Sequence, residues 1–317
     1  MSRLRVLVAL LAACAFSVSA SAQAPQPTPV PQTQPSAAEA GKQRLFPSAE
    51  AAADALTEAL RKDDDKAIAQ MLGSGWRDFV PGTREDEDKA REDYLKAWDQ
   101  NHKVVADGDR MVVEVGTTGF KMPIPIVKEG DGWRFDIDAG HTEMIARQIG
   151  RNELHVVQTL LAIVDAQFDY SVMDPMKTGR TDYARRLLSS PGRKDGLYWE
   201  AKPGEPESPL GPLVAKAQTG DSEVNGYYGY HYRLLYGQGP AAPGGAYNYL
   251  VNGRMMGGFG VIAWPVKYEE TGVMTFIVNQ NGEVYERDFG PETAQRVSTI
   301  NIYDPDKEWQ KSDTTPP

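Results

Sequence analysis

The sequence predicts an α+β protein in two parts, each pairing helix with antiparallel sheet. Three observations point there. The run 142–170, TEMIARQIGRNELHVVQTLLAIVDAQFDY, places Ile145, Ile149, Val157, Leu160, Leu161, Val164 and Phe168 at steps of mostly three, four or seven, which is the apolar stripe of a helix. Before it, short Ala- and Leu-rich segments give way to apolar runs separated by Asp107-Gly108 and Gly130-Asp131-Gly132, which are turn signals. After it, Tyr228, Tyr230, Tyr232 and Leu234 alternate as strand residues do.

The long run is the expected spine of the second part. Thr142 is its expected N-cap, and Glu143 suits the positive helix end. Gly150 weakens a helix by about 1 kcal/mol against Ala and marks a place for a kink. At about 1.5 Å per residue the run spans roughly 43 Å. Leu160 and Val164 sit at the centre of the stripe and are expected under a sheet, with Gln158 and Asp165 off it.

In chain order, residues 1–22 read as an export signal: Arg3 and Arg5, an apolar core Val6 to Val18, then Ala20-Ser21-Ala22 as a cleavage site. Leu11-Ala12-Ala13-Cys14 offers the alternative of a lipoprotein box, with Cys14 lipidated. Either reading takes the protein out of the cytoplasm, to the periplasm or beyond, or to a lipid anchor in the envelope. Residues 23–45 are rich in Pro, Gln and Ala and read as a disordered spacer. Residues 46–139 form the expected first lobe. Its helices run from Ser48 to Arg61, Lys66 to Leu72 and Asp88 to Gln100; strands follow at 104–106, 111–117, 121–127 and 133–138. Helices followed by a curled sheet are similar to the nuclear-transport-factor-2 or cystatin type. Residues 140–305 form the second lobe: the spine, helices at 182–188 and 210–218, then strands at 258–263, 273–278 and 284–288 in a meander, with a long loop at 237–245. Residues 306–317 are expected to fray.

Two resemblances follow. Asn152-Glu153, Leu160, Ile163, Ala166-Gln167 and Tyr170, then Gly226-Tyr227-Tyr228-Gly229-Tyr230, Ala263-Trp264-Pro265 and Gly272-Val273-Met274-Thr275-Phe276, resemble the spine and sheet of pilin-like and pseudopilin-like globular heads. Those proteins carry a hydrophobic assembly helix at the start of the spine, which this spine lacks, so the likeness implies a head fold and no filament. Phe46-Pro47-Ser48, Pro123-Ile124-Pro125-Ile126-Val127, Gly132-Trp133-Arg134-Phe135-Asp136 and the region 253–265 resemble the bacterial secreted family called domain of unknown function 2950. That resemblance implies no activity.

Composition narrows the chemistry. The 317 residues carry a net charge of −10, and loss of Arg3 and Arg5 with the signal takes the mature chain to −12. Such a surface repels nucleic acid and anionic lipid. A single cysteine allows no internal disulfide. The four histidines, His102, His141, His155 and His231, show no i, i+4 pairing, and neither a G-x-S-x-G nor a phosphate loop occurs. No catalytic residue and no cofactor is assigned. Asp136 and Asp138, on the outer face of the last strand of the first lobe, lie near His141 and form the nearest approach to a metal set; a solvated strand face is the plainer reading. Glu85-Asp86-Glu87-Asp88 reads as acid before a helix start, and the glycine-dense 253–260 as a bulged strand. The tyrosines of 227–249 can pack a core or bind sugar or peptide. Of these, Tyr227 and His231 point away from the Tyr228-Tyr230-Tyr232 face and, with Arg254, are the candidate ligand contacts. The expected activity is binding of an envelope component, protein or glycan, with an envelope hydrolase using Asp136 and Asp138, or a pilus-associated subunit, as alternatives.

Overall fold

The computed structural model describes residues 43–79, 83–210 and 226–313. The architecture is α+β. Helix α1 (Ala49–Arg61) starts at Ser48, whose hydroxyl accepts the Ala51 N–H at 3.1 Å. Helix α2 (Asp65–Leu72) is capped by Asp64, which accepts from Ala67 at 3.0 Å, and ends at Gly73. Helix α3 (Arg84–Gln100) begins earlier than expected, at the Thr83 cap, so the acidic run 85–88 lies inside its first turns, where it meets the positive helix end.

These helices cover one face of a sheet of β1 (His102–Asp107), β2 (Arg110–Val115), β3 (Phe120–Lys121), β4 (Ile126–Glu129) and β5 (Gly132–Phe135). The order is β1-β2-β4-β5, all antiparallel, with β3 on β2. The core between them holds Phe46, Leu56, Ile68, Met71, Val113, Ile126 and Phe135.

Strand β5 stops at Phe135 rather than running through Asp138. Asp136 turns its carboxylate back to accept the Ala139 N–H at 3.3 Å, and helix α4 (Ile137–Met173) starts there. The N-cap is thus Asp136 and not Thr142, because an Asp directly after the strand captures the first free helix donors. The expected boundary at residues 139–140 lies in the first turn of α4, so a helix and not a linker joins the two parts. The 37 residues of α4 span about 55 Å and run unbroken through Gly150.

The second sheet has the order β14-β13-β12-β11-β6: β6 (Tyr230–Leu235), β11 (Gly260–Pro265), β12 (Met274–Asn279), β13 (Tyr285–Asp288) and β14 (Gln310–Lys311). The expected meander is β11-β12-β13. Helix α4 lies on one face, where Val156, Leu160 and Ile163 meet Tyr230, Val261, Ala263, Phe276 and Val278. Short α5 (Thr293–Ser298), Tyr303 and Trp309 cover the other face over Leu235, Ile262 and Ile277. Two small ribbons stand outside the sheet: β7 (Gly237–Gln238), which opens the expected long loop, with β8 (Tyr247–Asn248) just after it, and β9 (Leu250–Val251) with β10 (Arg254–Met255), the latter in the glycine-dense stretch.

The remaining differences have local causes. Ile145 and Phe168, placed on the buried stripe, are exposed at 43% and 42%. The buried line instead follows Asn152, Val156, Leu160, Ile163, Gln167 and Tyr170, and so includes two amides. Each amide is hydrogen-bonded: Asn152 Nδ2 donates to Thr271 O at 2.8 Å, and Gln167 exchanges bonds of 3.0 and 2.8 Å with both backbone groups of Ala184. The helix expected at 182–188 is absent, because Tyr183 pairs with Met255 and Leu188 with Tyr198 as bridges. The helix expected at 210–218 lies outside the described residues but for its first residue. Residues 306–311 do not fray: Trp309 is buried and β14 pairs with β13. The expected signal and residues 23–42 of the expected spacer lie outside the described residues; Gln43 is ordered by its amide, which donates to the Met71 and Phe135 carbonyls at 2.5 and 2.8 Å.

Leu160 is fully buried, Val164 is 5% exposed and Asp165 is exposed. Leu160→Ala is expected to lose about 2–5 kcal/mol through lost transfer energy and a cavity, and Asp165→Ala under about 0.5 kcal/mol. Denaturant unfolding of both variants checks this; equal, small losses would remove α4 from the core.

Candidate functional site

A cleft of about 670 Å³ opens between α1, α2, α3, the segment after β3 and the first half of α4. Helix α4 presents His141, Met144, Ile145, Gln148 and Arg151 to it, at helical spacing on one face. The opposite wall is apolar: Leu56, Leu60, Ile68, Leu72 and Trp76. Pro123 and Ile124 close the end nearest the sheet. This is a concave, largely apolar space with a few polar groups, the usual form of a small-molecule site.

One polar pair lies at the wall. Thr57 donates its hydroxyl proton to Ala53 O at 3.0 Å, so in the 2.9 Å contact with Tyr94 the phenol is the donor. Tyr94 therefore keeps only acceptor capacity on its oxygen. Burial pushes its pKa up to about 12, despite the Thr57 hydrogen bond, and the phenol is neutral at ordinary pH.

The rim is charged. Arg91 pairs with Asp63 and with Asp88, the latter at 2.6 Å. Arg147 pairs with Glu143 at 2.8 Å and lies 5.7 Å from the Phe120 ring centre. Arg151 contacts only the Gln148 amide, at 2.9 Å, and has no carboxylate partner among the described residues.

Gln148 and Glu270 also line a second depression, of about 430 Å³. Its lining includes Asn152, Tyr228, Gly229, Lys267 and Thr271. Tyr227 to Tyr230 form a tight turn closed by the Tyr230 N–H on Tyr227 O at 3.2 Å, with the Tyr227 N–H returned to Tyr230 O at 2.9 Å and φ of 51° at Tyr228 and 71° at Gly229. Tyr228 is thus a turn residue and not the first of the alternating strand face. Its ring stacks on His155, centroids 4.2 Å apart and 10° from parallel. His155 is half-buried under it, with an Nδ1 that finds no hydrogen-bond partner among the described residues.

The three candidate ligand contacts are not brought together. Tyr227 packs against Tyr228 and Tyr232, centroids 4.4 and 6.5 Å away, and so shares their side of the sheet; the mirror-image turn reverses the direction that strand alternation predicts. His231 faces the other side, 5.3 Å from Trp264. Arg254, on β10, holds both carboxylate oxygens of Asp182, its Nε at 2.7 Å. The metal candidates part in the same way: Asp136 is a cap, Asp138 lies in the first helical turn, and His141 packs 4.3 Å from Phe79 in the cleft. Among the described residues no group of three His, Cys, Asp or Glu side chains could hold a metal ion.

A family model described as "Protein of unknown function (DUF2950)" matches residues 43–312. The chain belongs to this family. The match takes in the cleft, the depression beside Tyr228 and both sheets of this DUF2950 protein. No curated protein and no solved structure matches it.

Sequence reading missed the cleft-lining set on α1–α3 and the roles of Asn152, which bonds Thr271 O, and of Glu153, whose carboxylate accepts the Val273 and Met274 N–H groups at 2.9 and 3.0 Å. The available signal was a pair of polar residues, Asn152-Glu153, on an otherwise apolar helix line.

Burial against Trp264 lowers the pKa of His231 below its ordinary value of 6.5. The unfolded chain then binds the proton more readily, so stability falls as pH drops through about 6.5. The loss of unfolding free energy from pH 7 to 5 is expected to be steeper in the wild type than in His231→Gln. Urea unfolding across that range checks it, and parallel curves would show no contribution from this ring.

Proposed function

We propose that this is an exported bacterial envelope protein that acts by binding, and that its cleft takes the apolar part of a small ligand. The observation that carries the reading is the cleft itself, where half-buried Leu60 and Trp76 and exposed Phe120 and Ile145 present apolar surface beneath a charged rim. Burying apolar ligand surface there gains roughly 25 cal/mol per Å², and the neutral Tyr94 phenol supplies an acceptor. Export rests on the N-terminal signal pattern and the Pro/Gln-rich spacer of the sequence. No helix among the described residues is long and apolar enough to cross a membrane, which accords with a periplasmic, secreted or lipid-anchored protein. The pilin-like likeness enters this reading as architecture alone, a long helix over an antiparallel sheet.

Two measurements test it. The exported protein is expected to begin at Gln23, as read by intact mass; a lipid adduct on Cys14 would replace this with the anchored form. A spin-labelled dodecyl chain is expected to quench Trp76 saturably, at concentrations below micelle formation, and Trp76→Phe should lose most of that signal. Ile145→Trp, which fills the cleft from an exposed position on α4, should weaken binding by at least about tenfold, the equivalent of roughly 1.4 kcal/mol. Unsaturable quenching, or full binding in Ile145→Trp, would overturn the cleft as the site.

A further inference from the structure

We propose that the C-terminal tip of α4 docks the protein on an anionic phospholipid surface, independently of the cleft, which it leaves roughly 30 Å away along the helix. The helix ends at Met173 and the chain folds back at once. Asp174 takes the left-handed conformation, φ 42°, and its N–H reaches Tyr170 O at 3.2 Å. One of its carboxylate oxygens accepts the Thr178 N–H at 2.9 Å and the Thr178 hydroxyl at 3.0 Å; the other accepts the Gly179 N–H at 2.7 Å. The Lys177 N–H donates to Asp174 O at 2.8 Å. Residues 174–179 are thereby closed against the helix end. The one acid of residues 172–180 is occupied by donors of its own loop.

What the tip presents to solvent is apolar and cationic. Val172 is 83% exposed, and Met173 and Met176 are each 39% exposed. Apolar side chains grouped in this way, rather than scattered singly, mark an interaction surface. Lys177 and Arg180 are exposed beside them and make no ion pair among the described residues. Arg185 is exposed and unpaired in the same sense, and it lies alongside the last turns of α4 because Gln167 holds both backbone groups of Ala184. Over residues 172–195 six Lys and Arg stand against three Asp, a net of +3 in a chain of −10. Exposed apolar groups beside free cations suit a bilayer interface, where the first enter the acyl boundary and the second meet phosphate. A neutral apolar ligand would leave the cations unused, and a soluble polyanion would leave Val172 and the methionines unused. The acidity of the rest of the chain is screened beyond about 8 Å at physiological ionic strength. Asp165 and Asp169, exposed on the preceding turns, limit the depth of entry to the tip itself.

The test is vesicle flotation of the full mature chain from Gln23, which lacks Cys14 and so carries no lipid of its own. Vesicles are phosphatidylcholine with or without phosphatidylglycerol. The wild type is expected to bind the anionic vesicles at least about tenfold more tightly, and to lose that preference near about 0.5 M salt, where the screening length falls to a few Å. Lys177→Glu with Arg180→Glu is expected to weaken binding at least about tenfold, since each cation near an anionic surface is worth about fivefold. Val172→Ser with Met176→Ser should weaken it several-fold at unchanged charge. All four side chains are exposed, so both variants should keep the wild-type unfolding midpoint. Equal binding to the two vesicle types, binding to neither, or wild-type binding in both tip variants would overturn the proposal. Ile145→Trp is expected to bind vesicles as the wild type does; loss of binding there would assign the lipid to the cleft and remove the tip as the docking point.

Discussion

The fold depends on how the carboxylate of Glu153 meets the second sheet. Its Oε1 accepts the N–H groups of Val273 and Met274 at 2.9 and 3.0 Å, and the Tyr230 hydroxyl lies 3.3 Å away. Beside it the Asn152 amide reaches Thr271 O at 2.8 Å. Helix α4 is thereby fixed at the turn between β11 and β12 by directional bonds as well as by apolar contact. Charge-assisted bonds of this kind are about twice as strong as neutral ones, and each would leave an unsatisfied donor if lost. The surroundings are built to admit them. A Cβ at Gly272 would lie 2.0 Å from the Tyr230 hydroxyl oxygen, and one at Gly229 would lie 2.9 Å from the Asn152 amide nitrogen.

That anchor has consequences at a distance because α4 belongs to two cores. Its first turns pack with the first sheet, where Gly140 sits against Ile124 and Phe79, and its second half lies under β11 and β12. With the helix pinned at Asn152-Glu153, the face carrying Met144, Ile145 and Gln148 is held over the apolar wall of α1 and α2. The cleft is therefore bounded on one side by a helix whose position is set by the other sheet. Gln148, one turn before Asn152, donates to its Oδ1 at 2.7 Å, so a residue that lines both depressions is tied directly to the anchor.

Much of the element pattern was legible in the sequence. Ser48 and the Asp107-Gly108 and Gly130 turns mark boundaries through local chemistry, and they stand where expected. Strand alternation placed Tyr230, Tyr232 and Leu234 on the α4 side correctly. The misreadings share a cause. Asp136 could extend a strand or cap a helix, and periodicity does not separate these when Trp133, Phe135 and Ile137 alternate into the junction. Tyr228 looked like a strand residue because alternation takes no account of a mirror-image turn. The C-terminal residues looked frayed because β14 is two residues long and gains its order from β13.

The sequence by itself determined the α+β class, a long helix lying in chain order between two antiparallel sheets, and several local turns, since these follow from side-chain period and short-range hydrogen bonding. Tertiary structure alone decided the candidate site. The cleft draws Leu56, Trp76, Tyr94, Ile124 and Ile145 from separate elements, and the second depression joins Tyr228 to residues on α4 and on the turn before β12. No spacing along the chain encodes such a set. Its members become neighbours only when α4 is fixed against both sheets, and the bonds that fix it, from Glu153 to Val273 and Met274, span 120 and 121 residues.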